Sequence, residues 1–168
     1  NQETTTSKPY QLQRKYIVSP IKSGIVIIDQ QRAHQRILYE QLLTNMTVQQ
    51  TQSQPLLFPL TIPFTVQEIQ LLQELTPSLQ ALGFTFEKSE VDQLVITALP
   101  SLLEQSAVPA VLESLLHDLA DGIPAASFST NDSIAKSLAR SLAVKTGAYL
   151  TEPEQEHLVN SLFACKDS

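Results

Sequence analysis

Apolar side chains recur along this chain with two different periods, and the switches between them mark out its elements. Residues 10–18 (YQLQRKYIV) read as a strand. Lys22-Ser23-Gly24 is a turn signal. Ile25-Val26-Ile27-Ile28 is a short continuous apolar run rich in β-branched side chains, the pattern of a strand buried on both faces. Together these segments predict a hairpin. A helix is expected from about Gln30 to Thr47, with Asp29 as its N-cap and Ala33, Ile37, Leu38, Leu42 and Met46 as its apolar stripe. Gln49 to Ser53 reads as a loop. From residue 56 to 64 the chain alternates, placing Leu56, Phe58, Leu60, Ile62 and Phe64 on one face. Pro55, Pro59 and Pro63 cannot donate to a ladder, so this is an edge strand at best.

Thr65 and Glu68 form a capping box. It opens a helix whose stripe is Val66, Ile69, Leu72, Leu79 and Leu82 and which Gly83 closes. Pro77 is expected to kink or break it at its middle. Phe84-Thr85-Phe86 and Leu94-Val95-Ile96 flank a polar turn and read as a second hairpin. A third helix, about Val108 to Ala120, carries Val108, Val111, Leu112, Leu115, Leu116 and Leu119 at helical spacing. In the tail Ile134, Leu138 and Leu142 recur every four residues, as do Ala135, Ala139 and Ala143, whose small side chains suit close packing. A further capping box, Thr151 and Glu154, precedes Leu158, Leu162 and Phe163. The sum is an α+β chain with no internal repeat.

Composition narrows the function classes. At 168 residues and 42% hydrophobic, the chain can build a real core in one domain or two small lobes. A net charge of −6 makes it a poor general grip on phosphate backbones. One cysteine, Cys165, excludes an intrachain disulfide and a multi-cysteine zinc site, and fits a reducing cytoplasm. No apolar run approaches the ~20 residues of a membrane span, and no membrane partner is expected. The polar start, residues 1–8, reads as a linker remnant. No Ser/His/Asp ordering or glycine-rich phosphate loop is visible.

Residues 11–43 (QLQRKYIVSPIKSGIVIIDQQRAHQRILYEQLL) carry a more specific signal. They resemble the opening of the bacterial MutL C-terminal dimerization domain, in which a hairpin leads into a helix starting Asp-Gln-His-Ala and continuing to Glu-Arg-Ile-Leu-Tyr-Glu. Asp29, Gln30, Ala33-His34, Arg36-Ile37-Leu38-Tyr39 and Glu40 match as they stand. Gln54-Pro55-Leu56-Leu57-Phe58-Pro59 resembles the family's sliding-clamp-binding motif, and residues 133–147 with 158–165 have the shape of its returning helices. The resemblance implies two lobes: a dimerization lobe of residues 9–61 and 131–168, and an inserted lobe of residues 62–130. It further implies a homodimer, a DNA polymerase sliding clamp and other mismatch-repair proteins as partners, an N-terminal ATPase domain elsewhere in the whole protein, a cytoplasmic location, and DNA contacted only weakly or through the rest of that protein.

Many members of that family are metal-dependent nucleases, and the match fails where the metal is held. Gln31 and Gln35 stand in place of His and Glu ligands, one turn apart on one helix face. Two carboxamides carry no charge and make poor ligands for a transition metal. Arg32 replaces an alanine, and Arg140 stands about where the family has a ligating cysteine. Asp29 and Glu40 remain, but along a helix they lie roughly 16 Å apart and cannot share an ion. A last Cys-Pro-His-Gly-Arg motif would fall beyond residue 168. The expectation is a degenerate site, with no catalytic residue, no metal and no cofactor in this domain. Asp29 then serves as an N-cap, Glu40 as a solvated helix charge, and His34, His117, His157 and Cys165 as packing or surface residues. The rival readings are a manganese- or zinc-dependent nicking endonuclease and an unrelated small acidic binding domain.

At Gln54–Phe58 the prolines pre-extend the backbone, Leu56, Leu57 and Phe58 supply apolar anchors and Gln54 a directional amide, a form suited to docking in a partner's groove. The bland alternative is an edge strand burying Leu56 and Phe58. For self-association, the alanine face of 135, 139 and 143 and the hairpin are both candidates.

Overall fold

The computed structural model describes residues 8–48, 52–87, 90–122 and 127–165, with the side chains of residues 127–129 left aside. The linker reading of residues 1–7 and most of the loop expected at 49–53 lie outside them; Ser53 already belongs to a strand. The chain forms two compact units. One comprises residues 1–40 and 142–168, the other residues 41–141.

The first unit is built on a three-stranded antiparallel sheet: β1 (Tyr10–Leu12), β2 (Tyr16–Ile21) and β3 (Gly24–Asp29), in that order. The single strand expected over residues 10–18 is therefore two strands. The chain reverses at Gln13 and Arg14, both left-handed with φ of 54° and 49°. No glycine or asparagine announces this turn, which is why the sequence pattern misses it. α1 (Gln30–Val48) follows β3 directly. Asp29 caps it as expected: the Arg32 N–H donates to Asp29 Oδ1 at 3.0 Å. The unit closes with α5 (Glu152–Ala164), whose capping box is complete at Thr151 and Glu154. Its core joins Ile17 and Ile28 of the sheet to Ala33 of α1 and to Leu150, Leu158 and Val159, with Val26, Ile37, Val144 and Leu162 packed against them.

The second unit holds β4 (Ser53–Pro63), α2 (Val66–Leu82), β5 (Thr85–Phe86), β6 (Gln93–Pro100), α3 (Val108–Asp118) and α4 (Ser127–Leu142). Its sheet has the order β4-β6-β5, so β4 is an edge strand. The predicted capping box opens α2, and Gly83, at φ 113°, ends it. α2 runs unbroken through Pro77, which removes one backbone donor but keeps a helical φ. Its buried stripe includes Leu75, while Val66 is exposed. α2 packs on β6 and α3. All six apolar positions read for the third helix are buried, as are Ile134, Leu138, Ala135 and Ala139 on α4 and Ala143 just after it.

Candidate functional site: two apolar surfaces and the α1 motif residues

The run Ile25–Ile28 is not buried on both faces. Register alternates its side chains: Ile28 sits beside Ile17 and Val26 beside Ser19 toward the core, while Ile25 and Ile27 lie beside Pro20 and Val18 on the other side. Ile25 is 68% and Ile27 65% exposed. On β1, Tyr10 pairs with Val18 and Leu12 with Tyr16, so both join that outer face. Tyr10, Leu12, Ile25 and Ile27 are the exposed apolar side chains of that face; Tyr16 and Pro20 beside them are half-buried, and Val18, at the centre of the sheet, is only 5% exposed. Asp29, next along β3, bonds the start of α1 instead. A single domain rarely leaves so continuous an apolar face in water. The alanine face of 135, 139 and 143, by contrast, is already buried within the chain.

The second surface is the 54–59 segment. β4 pairs with β6 at Ser53–Pro55 and again at Leu60–Pro63, but the four residues between Pro55 and Leu60 oppose only one, Thr97, on β6. The chain must bulge there. The regular alternation expected over 56–64 breaks as a result: Phe58 is 75% exposed instead of facing the core with Ile62, and Leu57 beside it is 88% exposed. Leu56 is half-buried, and Gln54, Pro55 and Pro59 are exposed.

The motif residues on α1 are engaged in holding the loop between α4 and α5. Gln31 Oε1 accepts from both the N–H and the hydroxyl of Thr146, at 3.2 and 3.1 Å. His34 Nδ1 accepts the Val144 N–H at 2.7 Å. Burial, with His157 as a second cause, pushes the His34 imidazole below its ordinary value of 6.5, which favours the neutral form that accepts this bond. Glu40 pairs with Arg36 at 3.6 Å. Burial first, and then the Glu40 charge, push the Cys165 thiol upward, away from thiolate. In the second unit Arg140 pairs with Asp118, which also accepts the Ser137 hydroxyl at 2.6 Å. Among the described residues no group of three or more His, Cys, Asp or Glu could hold a metal ion. No described helix is long and apolar enough to cross a membrane. The Gln31 oxygen thus accepts two hydrogen bonds from Thr146.

Sequence reasoning missed Gln30. It is fully buried and donates through Nε2 to the Lys145 and Ala148 carbonyls at 2.9 and 3.1 Å. Its Oε1 accepts from Gln11 Nε2 at 2.6 Å, and Gln11 Oε1 in turn accepts the Leu150 N–H. The two carbonyls it bonds lie more than a hundred positions away, and a carboxamide directly after an N-cap gives no local sign of them.

A family model described as MutL C terminal dimerisation domain matches residues 10–150. The DNA mismatch repair protein MutL of Flavobacterium johnsoniae is 61% identical over 98% of this chain, and that of Flavobacterium psychrophilum 55% identical over 99%. The MutL of Parabacteroides distasonis is 37% identical over 98%. The chain spans about a quarter of the length of these curated relatives, 26%, 27% and 27% respectively. With a family match over most of its length and three such relatives, the chain belongs to the MutL C-terminal dimerisation domain family.

Proposed function

We propose that the chain pairs two copies of a MutL-type mismatch-repair protein through the outer face of β1–β2–β3, docks a sliding clamp through residues 54–59, and does not cut DNA. The observation that carries this reading is the sheet face itself: Tyr10, Leu12, Ile25 and Ile27 stand exposed on one side of it in continuous register, the two isoleucines about two-thirds exposed. A two-fold dimer needs a self-complementary apolar patch, and this one supplies it. Placing it between two protomers buries both faces of β3.

The bulge supports the clamp contact. Leu57 and Phe58 project from an edge strand, with Pro55 and Pro59 holding the chain extended on either side, so little order must be gained on binding. Gln31 and Gln35 support the absence of nicking, since neither brings a charge to a metal. Pairing would then fall to the unit of residues 1–40 with 142–168 and clamp docking to that of residues 41–141, and the ATPase activity would belong to the rest of the whole protein.

The test uses the whole protein, supercoiled plasmid and Mn²⁺, with and without loaded clamp. No nicking above a metal-free control is expected. Nicking that disappears in Glu40→Ala would mean that α1 still holds metal and would overturn the adaptor reading.

A further inference from the structure

The negative charge of the chain sits in its second unit. Residues 41–141 hold three Lys and Arg residues against ten Asp and Glu, a net −7. Of the three cations, Lys136 and Arg140 lie on α4 and are paired with Asp132 and Asp118. Within this unit a cleft of about 500 Å³ opens where α2 begins and α3 ends, a volume large enough to take several side chains of a ligand. Helical spacing assembles it. Glu68 and Leu71 are three apart on α2, and Glu113, Leu116 and His117 follow at i, i+3 and i+4 on α3. With Leu119 the leucines make an apolar floor, Leu116 and Leu119 buried and Leu71 half-buried. Glu68, half-buried, and Glu113 and His117, both exposed, stand on the rim. Each helix points a pole at the cleft: α2 its positive start, α3 its negative end. Glu68 meets the first through its capping box. The α3 pole and the Glu113 carboxylate are met by no Lys or Arg among the described residues that line the cleft.

We infer that this cleft docks a cationic amphipathic segment of a partner protein. An apolar side chain of the segment rests on the leucine floor. A Lys or Arg beside it lays its aliphatic stem along Leu116 and carries its charge to Glu113 and the end of α3. Charge complementarity selects this occupant: a unit of net −7 repels phosphate backbones and draws in basic segments. The floor selects it over a bare cation, because a polycation without apolar side chains leaves the leucines uncovered.

Fluorescence anisotropy with a labelled amphipathic helix of lysine and leucine, about four turns long, tests this on the 168-residue chain at 50 mM salt, where screening is weak. The wild-type chain should bind the peptide saturably. Glu113→Lys sets a like charge against the incoming cation and should weaken binding about tenfold or more. Glu104→Lys makes the same change of charge at an exposed position before the start of α3, and should alter affinity by less than about twofold. If circular dichroism shows Glu113→Lys misfolded, Glu113→Gln at the same exposed position should weaken binding about threefold. No binding by the wild type, unchanged binding by the Glu113 variants, or an equal loss in Glu104→Lys would overturn the inference, the last by marking bulk attraction to an acidic unit. Spermidine, or a peptide with serine in place of leucine, should compete poorly. If either displaces the probe as well as the unlabelled parent peptide does, charge alone is read, and the assignment to an amphipathic protein segment falls.

Discussion

The outer face of β1–β3 and the bulge in β4 are built from the same kinds of side chain, yet the backbone beneath them differs. The β2–β3 register runs without interruption from Tyr16 beside Asp29 to Ile21 beside Gly24, so its apolar groups form a broad, flat surface. At β4 the register slips, and two large side chains project between prolines. A flat face suits a second flat face, where area accumulates over many modest contacts. A projecting pair suits insertion into a pocket, where one or two anchors carry most of the affinity. Backbone regularity, more than hydrophobicity, separates the two kinds of docking.

Substitutions can break that contrast, beginning with the largest expected effect. Ile25→Asp with Ile27→Asp places two charges in the proposed dimer face and should raise the dimer dissociation constant on the order of 100-fold or more, read by analytical ultracentrifugation, while clamp binding per protomer persists. Leu57→Ala with Phe58→Ala should weaken clamp binding about 30-fold in surface plasmon resonance and leave the dimer intact. Gln54→Ala with Leu57→Ala should act in the same direction. An unchanged clamp affinity in both would remove residues 54–59 from the account.

Smaller effects probe the frame beneath the two surfaces. Gln30→Ala strands the Lys145 and Ala148 carbonyls and should cost about 2–3 kcal/mol in urea unfolding. Thr151→Ala removes the N-cap of α5 and should cost about 1 kcal/mol in the same measurement. The smallest effect depends on pH. Because the folded state holds His34 below 6.5, the unfolded chain takes up a proton first. The contribution of His34 is therefore complete above pH 6.5 and lost as pH falls through the folded value. Thermal melts between pH 7.5 and 5 should show this decline in the wild type. His34→Gln, which keeps an acceptor but does not titrate, should flatten it.

The local parts of this fold were legible before the structure, and the distant ones were not. Both capping boxes, the α3 stripe and the edge position of β4 rest on residues within a few positions of each other. The turn at Gln13 and Arg14 was hidden because neither residue type advertises a left-handed backbone. The Ile25–Ile28 run was misread because an apolar run looks the same whether its second face is covered by its own chain or awaits another. At the candidate sites, residues 54–59 stood out through their family resemblance, while the bulge depends on pairing with β6. The Gln30 hub was invisible because the carbonyls that its side chain bonds, those of Lys145 and Ala148, come from the far end of the chain.

The central claim is self-association through a bare sheet face. Sedimentation equilibrium of the wild-type chain from about 1 to 100 μM tests it most directly, because a face of this kind should give a standard-sized interface with a dissociation constant in or below that range. The account predicts a dimer that dissociates in the Ile25→Asp, Ile27→Asp variant. A wild-type chain that stays monomeric across the range, or a dimer indifferent to those two charges, would contradict it.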